Sequence, residues 1–294
     1  MKSTSKNKSE TPVARSTARV NVAYFGKPGS YSHEVALRRF SKSAALTPRR
    51  TITEVFEAVA GDEVAYGIVP IENTLGGPIF DTVDQLIRED FVAAGLMICE
   101  EMSLHVTLSL LGRKAVKPKR IYSHFVPLKH CSDWLRSRYP DAAIMETEST
   151  SEAVERAAEE GDAWAIGNTG AAALHHLDVI VPRLGSRAQN ITRFHLIGKK
   201  PLAAGAGGRT VLVFGLIHQP GSLVSALLAL AKFEVNMTRI VSRALPNNPD
   251  EYLFVVECEG NARQPAFAKA LALLRTRSTN LRILGSFRVV EKYE

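Results

Sequence analysis

The chain has 294 residues, of which 45% are hydrophobic and 23% charged, and its formal net charge is +7. This length and apolar share predict about two globular domains and exclude a disordered, collagen-like or coiled-coil chain. No apolar run approaches the roughly 18 residues that a membrane helix needs, so we expect no membrane partner.

The first predicted element is a flexible basic tail, residues 1–19, which contains five lysines and arginines and a single acidic residue, Glu10. It is too poor in apolar side chains to order itself by burial. It lacks an apolar secretory core, and no aromatic-studded basic strip follows, so we expect a cytoplasmic protein without a nucleic-acid partner. Cys99, Cys131 and Cys258 form no CxxC pair, which predicts reduced thiols and no zinc site.

From residue 20 to residue 200 the apolar periodicity alternates between strand and helix. The predicted strands are Val20–Phe25, Val64–Val69, Phe91–Glu100, Met102–Leu111, Arg120–Ser123, Ala143–Thr147, Ala163–Ile166, Val179–Val181 and Phe194–Ile197. The predicted helices are Ser32–Phe40, Thr53–Ala60, Phe80–Arg88, Leu128–Tyr139, Ser151–Glu159 and Thr169–Leu177, with Ser32 and Thr53 as N-caps. This alternation predicts an α/β region of parallel or mixed sheets covered by helices.

Residues 201–209 are rich in Gly and Ala and are predicted to form a linker. The pattern then changes over residues 210–294. The predicted order is strand Thr210–His218, helix Leu223–Phe233, strands Val235–Ser242 and Glu251–Glu257, helix Pro265–Arg275 and strand Leu281–Val290. This βαββαβ order predicts a ferredoxin-like unit.

Polar residues cluster at four strand ends of the α/β region. Gly26–His33 follows the first strand, where a starting helix presents free N–H groups to an anion. Val69–Pro78 leaves a buried strand and enters a Gly-rich turn, and Ser123-His124 ends another strand. Asn190–Phe194 places an arginine beside a hydroxyl, which suits a carboxylate ligand. Each segment taken alone also fits a capped turn or a solvated side chain.

Read together and in this order, these segments resemble the prephenate dehydratase family, and the resemblance covers nearly everything except the basic tail. The resemblance implies a two-lobed catalytic domain at 20–200, similar to type II periplasmic binding proteins, and a C-terminal ACT regulatory domain at 210–294. The implied reaction removes CO₂ and water from prephenate to give phenylpyruvate in phenylalanine biosynthesis. Departing CO₂ supplies the electrons that expel the ring hydroxyl, so neither a metal nor a redox cofactor is required.

Position by position, the resemblance makes Thr192 the residue that donates toward the leaving hydroxyl and Arg193 the residue that holds a substrate carboxylate. It places Glu72 and Asn73 at the opposite lip and adds His124 to the catalytic set, although the family's Pro-Gln after this histidine is absent. The implied substrate-binding residues are Ser30, Tyr31, Ser32, Thr74, Gly76 and Phe194.

For the ACT domain, the resemblance implies an L-phenylalanine site and a homodimer or homotetramer. The implied effector-binding residues are Gly221, Ser222, Leu223, Ser242 and Arg243. Val241 and Ala244 stand where the family has Glu and Pro, so we expect feedback by phenylalanine to be weakened or altered. Two alternatives stay open, namely an arogenate dehydratase and a catalytically degraded amino-acid-sensing or binding protein.

Overall fold

The computed structural model describes residues 19–184, 190–201, 208–245 and 248–293, without the side chains of residues 42, 248–250 and 290–292. The predicted basic tail, apart from Arg19, and residues 202–207 of the predicted linker lie outside these ranges. Among the described helices, none combines the length and the apolar composition needed to cross a bilayer.

The α/β region contains eleven strands and seven helices within the described residues. The strands are β1 (Val20–Phe25), β2 (Ala44–Arg49), β3 (Tyr66–Asn73), β4 (Gly77–Pro78), β5 (Met97–His105), β6 (Leu108–Gly112), β7 (Arg120–Ser123), β8 (Ala143–Glu146), β9 (Ala163–Gly167), β10 (Asp178–Leu184) and β11 (Ile191–Gly198). The helices are α1 (Tyr31–Phe40), α2 (Ile52–Ala60), α3 (Phe80–Ile87), α4 (Asp90–Ala93), α5 (Phe125–Arg138), α6 (Thr150–Glu160) and α7 (Thr169–Leu174). The predicted alternation of strands and helices is confirmed.

Some predicted bounds are wrong. Strand β2 was not predicted, because it is an edge strand with a proline and few apolar residues. The segment predicted as strand Phe91–Glu100 forms α4 first, and Gly95, at φ +74°, separates this helix from β5. The predicted N-caps are also displaced, since Ser30 and Thr51 cap α1 and α2 by accepting the N–H three residues further on.

The chain crosses twice between two lobes. The first lobe has the strand order β5-β11-β3-β1-β2, with β4 beside β3, and the second lobe is a five-stranded sheet in the order β10-β6-β9-β7-β8. One face of the first sheet packs against α2 and α3. Its other face packs against α1 and reaches the apolar residues of the second lobe. The predicted two-lobed architecture is confirmed, and the space between the lobes opens on this second face.

The C-terminal unit, residues 208–293, follows the predicted βαββαβ order. Its elements are β12 (Arg209–Gly215), α8 (Ser222–Ala231), β13 (Met237–Leu245), β14 (Asn248–Glu259), α9 (Pro265–Arg275) and β15 (Thr279–Tyr293). Its sheet has the order β13-β14-β12-β15, and the far end of β15 pairs in parallel with β5. The C-terminal unit and the first lobe therefore share one ten-stranded sheet. Gly285 permits this junction, because a Cβ there would collide with the carbonyl oxygen of Ile98.

Candidate active site

A cleft of about 860 Å³ lies between the two lobes. That volume suits a small organic ligand. The first lobe contributes the loop after β1, the end of β2 and the start of β11, and the second lobe contributes one side of α6. The lining includes Ser30, Tyr31, Ser32, Arg50, Thr192 and Phe194, together with Ser149 and Arg156 from the second lobe.

Thr192 faces the cleft from β11, and its hydroxyl has a fixed orientation. Asn73, its cross-strand neighbour on β3, donates from Nδ2 to Thr192 Oγ1 at 2.9 Å and to Asn190 Oδ1 at 2.8 Å. The Asn73 Oδ1 atom accepts from the N–H groups of Leu75 and Gly76, so its amide group is held in one direction. A hydroxyl has one proton to donate. Because Thr192 accepts from Asn73, its proton remains available for a ligand.

The loop after β1 lies against the second lobe. Gly29 has φ +85°, and its carbonyl accepts from Asn168 Nδ2 at 2.7 Å. A Cβ at this position would lie 3.0 Å from Ala171 Cα, so glycine is needed both for its dihedral angle and for the close approach. The nearby residue Tyr31 lines the cleft, and its buried hydroxyl has no hydrogen-bond partner among the described residues. Burial, with a smaller effect from Glu34, raises the pKa of this hydroxyl, so it stays a neutral donor.

The N-termini of α1 and α6 line the cleft, and so does Arg50, two residues before α2. A helix N-terminus attracts anions because its first N–H groups have no partner within the helix. Arg50 precedes α2, and its guanidinium makes no hydrogen bond or ion pair within the described part of the chain. Sequence reasoning missed Arg50 and Ser149. The signal was available, because each lies where a strand gives way to a helix N-terminus, as in the Gly26–His33 segment.

Arg193 does not line the cleft, which corrects the prediction that it holds a substrate carboxylate. Neighbouring residues of a strand point to opposite faces, so Arg193 lies on the face away from Thr192. Its Nη1 donates to Glu72 Oε2 at 3.1 Å, and its Nη2 donates to Glu101 and Glu257 at 2.5 Å. Glu72 follows it to that face because β3 carries a bulge: Arg193 pairs with Glu72 but Phe194 pairs with Pro70, which leaves Ile71 as the extra residue.

The other predicted site residues take supporting positions. Thr74 Oγ1 accepts from the Ile191 N–H at 3.0 Å, which ties the β3 turn to the start of β11. His124 caps α5 through its Nδ1, and burial lowers the pKa of its imidazole. Phe194 is buried and lines the cleft, whereas His124 is not among the described lining residues.

The predicted effector residues lie on two elements of the C-terminal unit. Gly221, at φ +83°, precedes α8, where Ser222 and Leu223 form the first turn. Ser242 and Arg243 lie on β13. The guanidinium of Arg243 makes a bidentate contact with Asp84 of α3, at 2.5 and 2.6 Å, so it joins the C-terminal unit to the first lobe instead of facing an effector.

One group of possible metal ligands occurs within the described residues, formed by Glu101, His195 and Glu257, whose ligand atoms lie within 4.8 Å of one another. Arg193 and Arg209 already donate to both carboxylates. A cation would have to compete with two guanidinium groups for the same oxygens. The donor set therefore fits an ion-pair cluster better than a metal centre.

Comparison with known proteins agrees with this architecture. A family profile described as prephenate dehydratase matches residues 22–202. A bifunctional chorismate mutase/prephenate dehydratase from Aquifex aeolicus is 34% identical over 271 residues, covering 92% of this chain and 74% of that protein.

Two solved structures resemble the whole described fold. A prephenate dehydratase from Arthrobacter aurescens, in complex with L-Phe, has a TM-score of 0.81 at 27% identity and covers 92% of this chain and 90% of its own. GqqA, described as a novel type of quorum quenching acylase, has a TM-score of 0.79 at 28% identity, and the match covers 92% of this chain and 98% of GqqA. The family profile spans more than half of the sequence, and the Aquifex relative matches nearly all of it. The chain therefore belongs to the prephenate dehydratase family.

Proposed function

We propose that this chain is a prephenate dehydratase that converts prephenate to phenylpyruvate, CO₂ and water in phenylalanine biosynthesis. The observation that carries the proposal is the Thr192 hydroxyl, which lines the cleft with its acceptor side occupied by Asn73. The membership of the chain in the prephenate dehydratase family and the similarity of its fold to a solved prephenate dehydratase support the same conclusion.

The reaction needs a hydrogen-bond donor at the leaving oxygen and little else. As the C–CO₂ bond breaks, its electron pair forms a ring double bond and the C–OH bond breaks, so hydroxide leaves and the ring becomes aromatic. Thr192 donates a hydrogen bond to this oxygen while negative charge develops on it. Such preorganised donors stabilise a transition state more than a ground state.

One part of the cleft wall suits the carboxylates of a dianion, whereas the part formed by residues 148–159 also carries four glutamates. Arg50 and the N-termini of α1 and α6 provide positive potential at the cleft wall. Lys27 and Arg156 also line the cleft, but each is paired with a glutamate of α6, Glu155 and Glu152 respectively. We therefore propose that Arg50 binds a substrate carboxylate, which is the role that the family resemblance implied for Arg193.

The similarity to GqqA raises amide hydrolysis as a second activity, and the hydroxyls of the cleft argue against it. A nucleophilic hydroxyl is activated by a neighbouring base. The partner of Thr192 is an amide, and Ser30 bonds only backbone atoms. No cleft hydroxyl donates to a histidine or carboxylate within the described residues.

We also assign the C-terminal unit to the ACT type, with L-phenylalanine as the effector and a homo-oligomer as the active form. The βαββαβ order supports the assignment. Val224 and Leu228, one turn apart on α8, are 62% and 55% exposed, which supports an apolar contact between copies. Arg243, one of the implied effector-binding residues, is ion-paired with Asp84, which supports an altered response to phenylalanine.

The test is an assay of the purified protein with prephenate, in which phenylpyruvate is followed by its absorbance in alkali, with and without added phenylalanine. We expect turnover of prephenate and little of arogenate in a parallel incubation. A protein that turns over arogenate alone, or neither substrate, contradicts the proposal.

Asn73→Asp tests the orientation of the hydroxyl. The carboxylate has no N–H to donate, so the Thr192 proton would turn toward it and away from the substrate. We expect kcat to fall roughly tenfold to a hundredfold with the fold retained, on the scale of a lost preorganised donor. Unchanged kcat in Asn73→Asp contradicts the assigned orientation.

A further inference from the structure

Six buried or half-buried charged residues lie where the C-terminal unit meets the first lobe. We call them the interdomain ion cluster: Glu72, Glu101 and Arg193 from the first lobe, and Arg209, Arg239 and Glu257 from the C-terminal unit. Three carboxylates balance three guanidinium groups, so the cluster is neutral as a whole.

Contacts of the cluster run between the two regions in both directions. Arg193 Nη2 donates to Glu257 Oε1 at 2.7 Å and Oε2 at 2.5 Å. Reciprocally, Arg209 Nη1 donates to Glu101 Oε1 at 2.7 Å and to Glu257 Oε1 at 2.9 Å. Glu257 is 1% exposed, and its Oε1 also accepts from Thr238 Oγ1 at 2.7 Å. Its carboxylate is therefore held in one position by both regions.

The cluster lies directly behind the pair that orients the cleft hydroxyl. Thr192 and Asn73 are cross-strand neighbours on the cleft face, and the next pair, Arg193 and Glu72, are cross-strand neighbours on the cluster face. The two pairs are adjacent along both strands, and the Ile71 bulge follows directly beyond the second pair. A shift of the Arg193 side chain would therefore change the local twist that sets the Thr192 to Asn73 distance.

We propose that Glu257 is a positioning residue for the reaction: from the C-terminal unit it fixes Arg193, and through Arg193 it fixes Thr192 against Asn73. The proposal rests on the proposed function for its kinetic consequence and on the geometry of β11 for its structural one. It makes a side chain of the C-terminal unit necessary for full turnover even without an effector.

The experiment compares Glu257→Gln with the matched control Glu259→Gln. Glu259 lies on the same strand, is exposed, and bonds Asn236 within the C-terminal unit. In Glu257→Gln we expect kcat for prephenate to fall about tenfold or more, because small misplacements of reacting groups are costly. We expect KM to change by less than about twofold, as for a residue that acts on the transition state alone. Glu259→Gln should match the unmodified protein in both constants.

Amide hydrogen exchange supplies a readout that needs no substrate. We expect faster exchange over residues 190–198 in Glu257→Gln than in Glu259→Gln, because β11 loses a fixed contact. Thr238→Val removes only the hydroxyl that bonds Glu257 and retains every charge, so it should lower kcat in the same direction but less, even if Glu257→Gln does not fold.

The outcomes separate the two proposals. If the unmodified protein does not turn over prephenate, the proposed function fails, and the exchange comparison still decides whether Glu257 fixes β11. The positioning role is overturned if folded Glu257→Gln has an unchanged kcat or changes only in KM. If Glu257→Gln does not fold, an unchanged kcat in Thr238→Val overturns it. Equal exchange of β11 in Glu257→Gln and Glu259→Gln also overturns it.

Discussion

The two faces of β3 and β11 differ in charge, in solvent access and in the elements that cover them. On the cleft face, Thr192 and Asn73 are uncharged and linked by one hydrogen bond. On the opposite face, one residue along each strand, Arg193 and Glu72 are charged and covered by the C-terminal unit. Uncharged donors suit a face where charge develops during a reaction, whereas buried charges persist only where opposite charges surround them. Substitutions on the charged face should therefore lower stability, whereas substitutions on the cleft face should lower turnover.

The largest expected effect is on stability and comes from the charged face. Arg193→Met removes the cation shared by three carboxylates, leaving Glu101 and Glu257 close together with Arg209 as their nearest remaining partner. We expect the free energy of unfolding to fall by about 3–5 kcal/mol. Urea denaturation measures it, with Arg38→Met, in an exposed pair with Glu34, as the control. An equal loss in the two variants contradicts the assigned difference.

The next effect is on turnover and comes from the cleft face. Thr192→Ala removes the proposed donor to the leaving oxygen, so we expect kcat to fall about a hundred- to a thousandfold. Stability should change much less than in Arg193→Met, because the Thr192 side chain makes one hydrogen bond among the described residues, to Asn73. Thr192→Ser retains the hydroxyl and should keep most of the turnover. Near-normal turnover in Thr192→Ala would show that the hydroxyl has a different role.

As the pH falls, the ion pairs around Glu101 should weaken before the hydrogen bond between Thr192 and Asn73 is affected. Burial alone would raise the pKa of Glu101, but the neighbouring His195 and Arg193 outweigh it and hold this pKa at about 2, against an ordinary 4.5. A carboxyl group whose pKa is lower in the folded state stabilises the fold above the unfolded-state value and loses that contribution as pH falls toward 2. Urea denaturation between pH 6 and pH 3 should show stability falling below about pH 4.5. Glu101→Gln should reduce the slope, and an unchanged slope contradicts the assignment.

The smallest effect is expected from the second ion pair between the two regions. Arg243 and Asp84 make a bidentate contact, but their side chains are 37% and 41% exposed. Exposed pairs contribute less than about 1 kcal/mol. Arg243→Ala should therefore change the free energy of unfolding by a small fraction of the Arg193→Met effect. A loss comparable to that of Arg193→Met would show that exposure does not separate these two contacts.

Several features of the fold were predictable because they depend on local periodicity. The bounds of β1 and α9 coincide with the predicted ones, and the βαββαβ order follows from turn and helix signals between residues 210 and 294. Strand β2 was missed, since Pro48 and few apolar side chains weaken its pattern, and it is held by pairing with β1 alone.

The candidate site was predictable in part. The sequence indicated Thr192 and Asn73, and strand alternation already implied that Arg193 points away from Thr192. The face taken by Glu72 could not be read from the sequence, because it depends on the bulge at Ile71 against β11. Arg50 was overlooked, although it stands directly before the Thr51 cap of α2.

By itself, the sequence of this protein determined its family and most of its order of elements, and it indicated the hydroxyl at residue 192, since these follow from local patterns and from motifs in a fixed order. Tertiary structure alone decided that β15 joins the first lobe at β5 and that Glu257 reaches Arg193. Those contacts link residues 64 positions apart and more, and they form because two sheets meet edge to edge. Local patterns carry no information on where such edges meet.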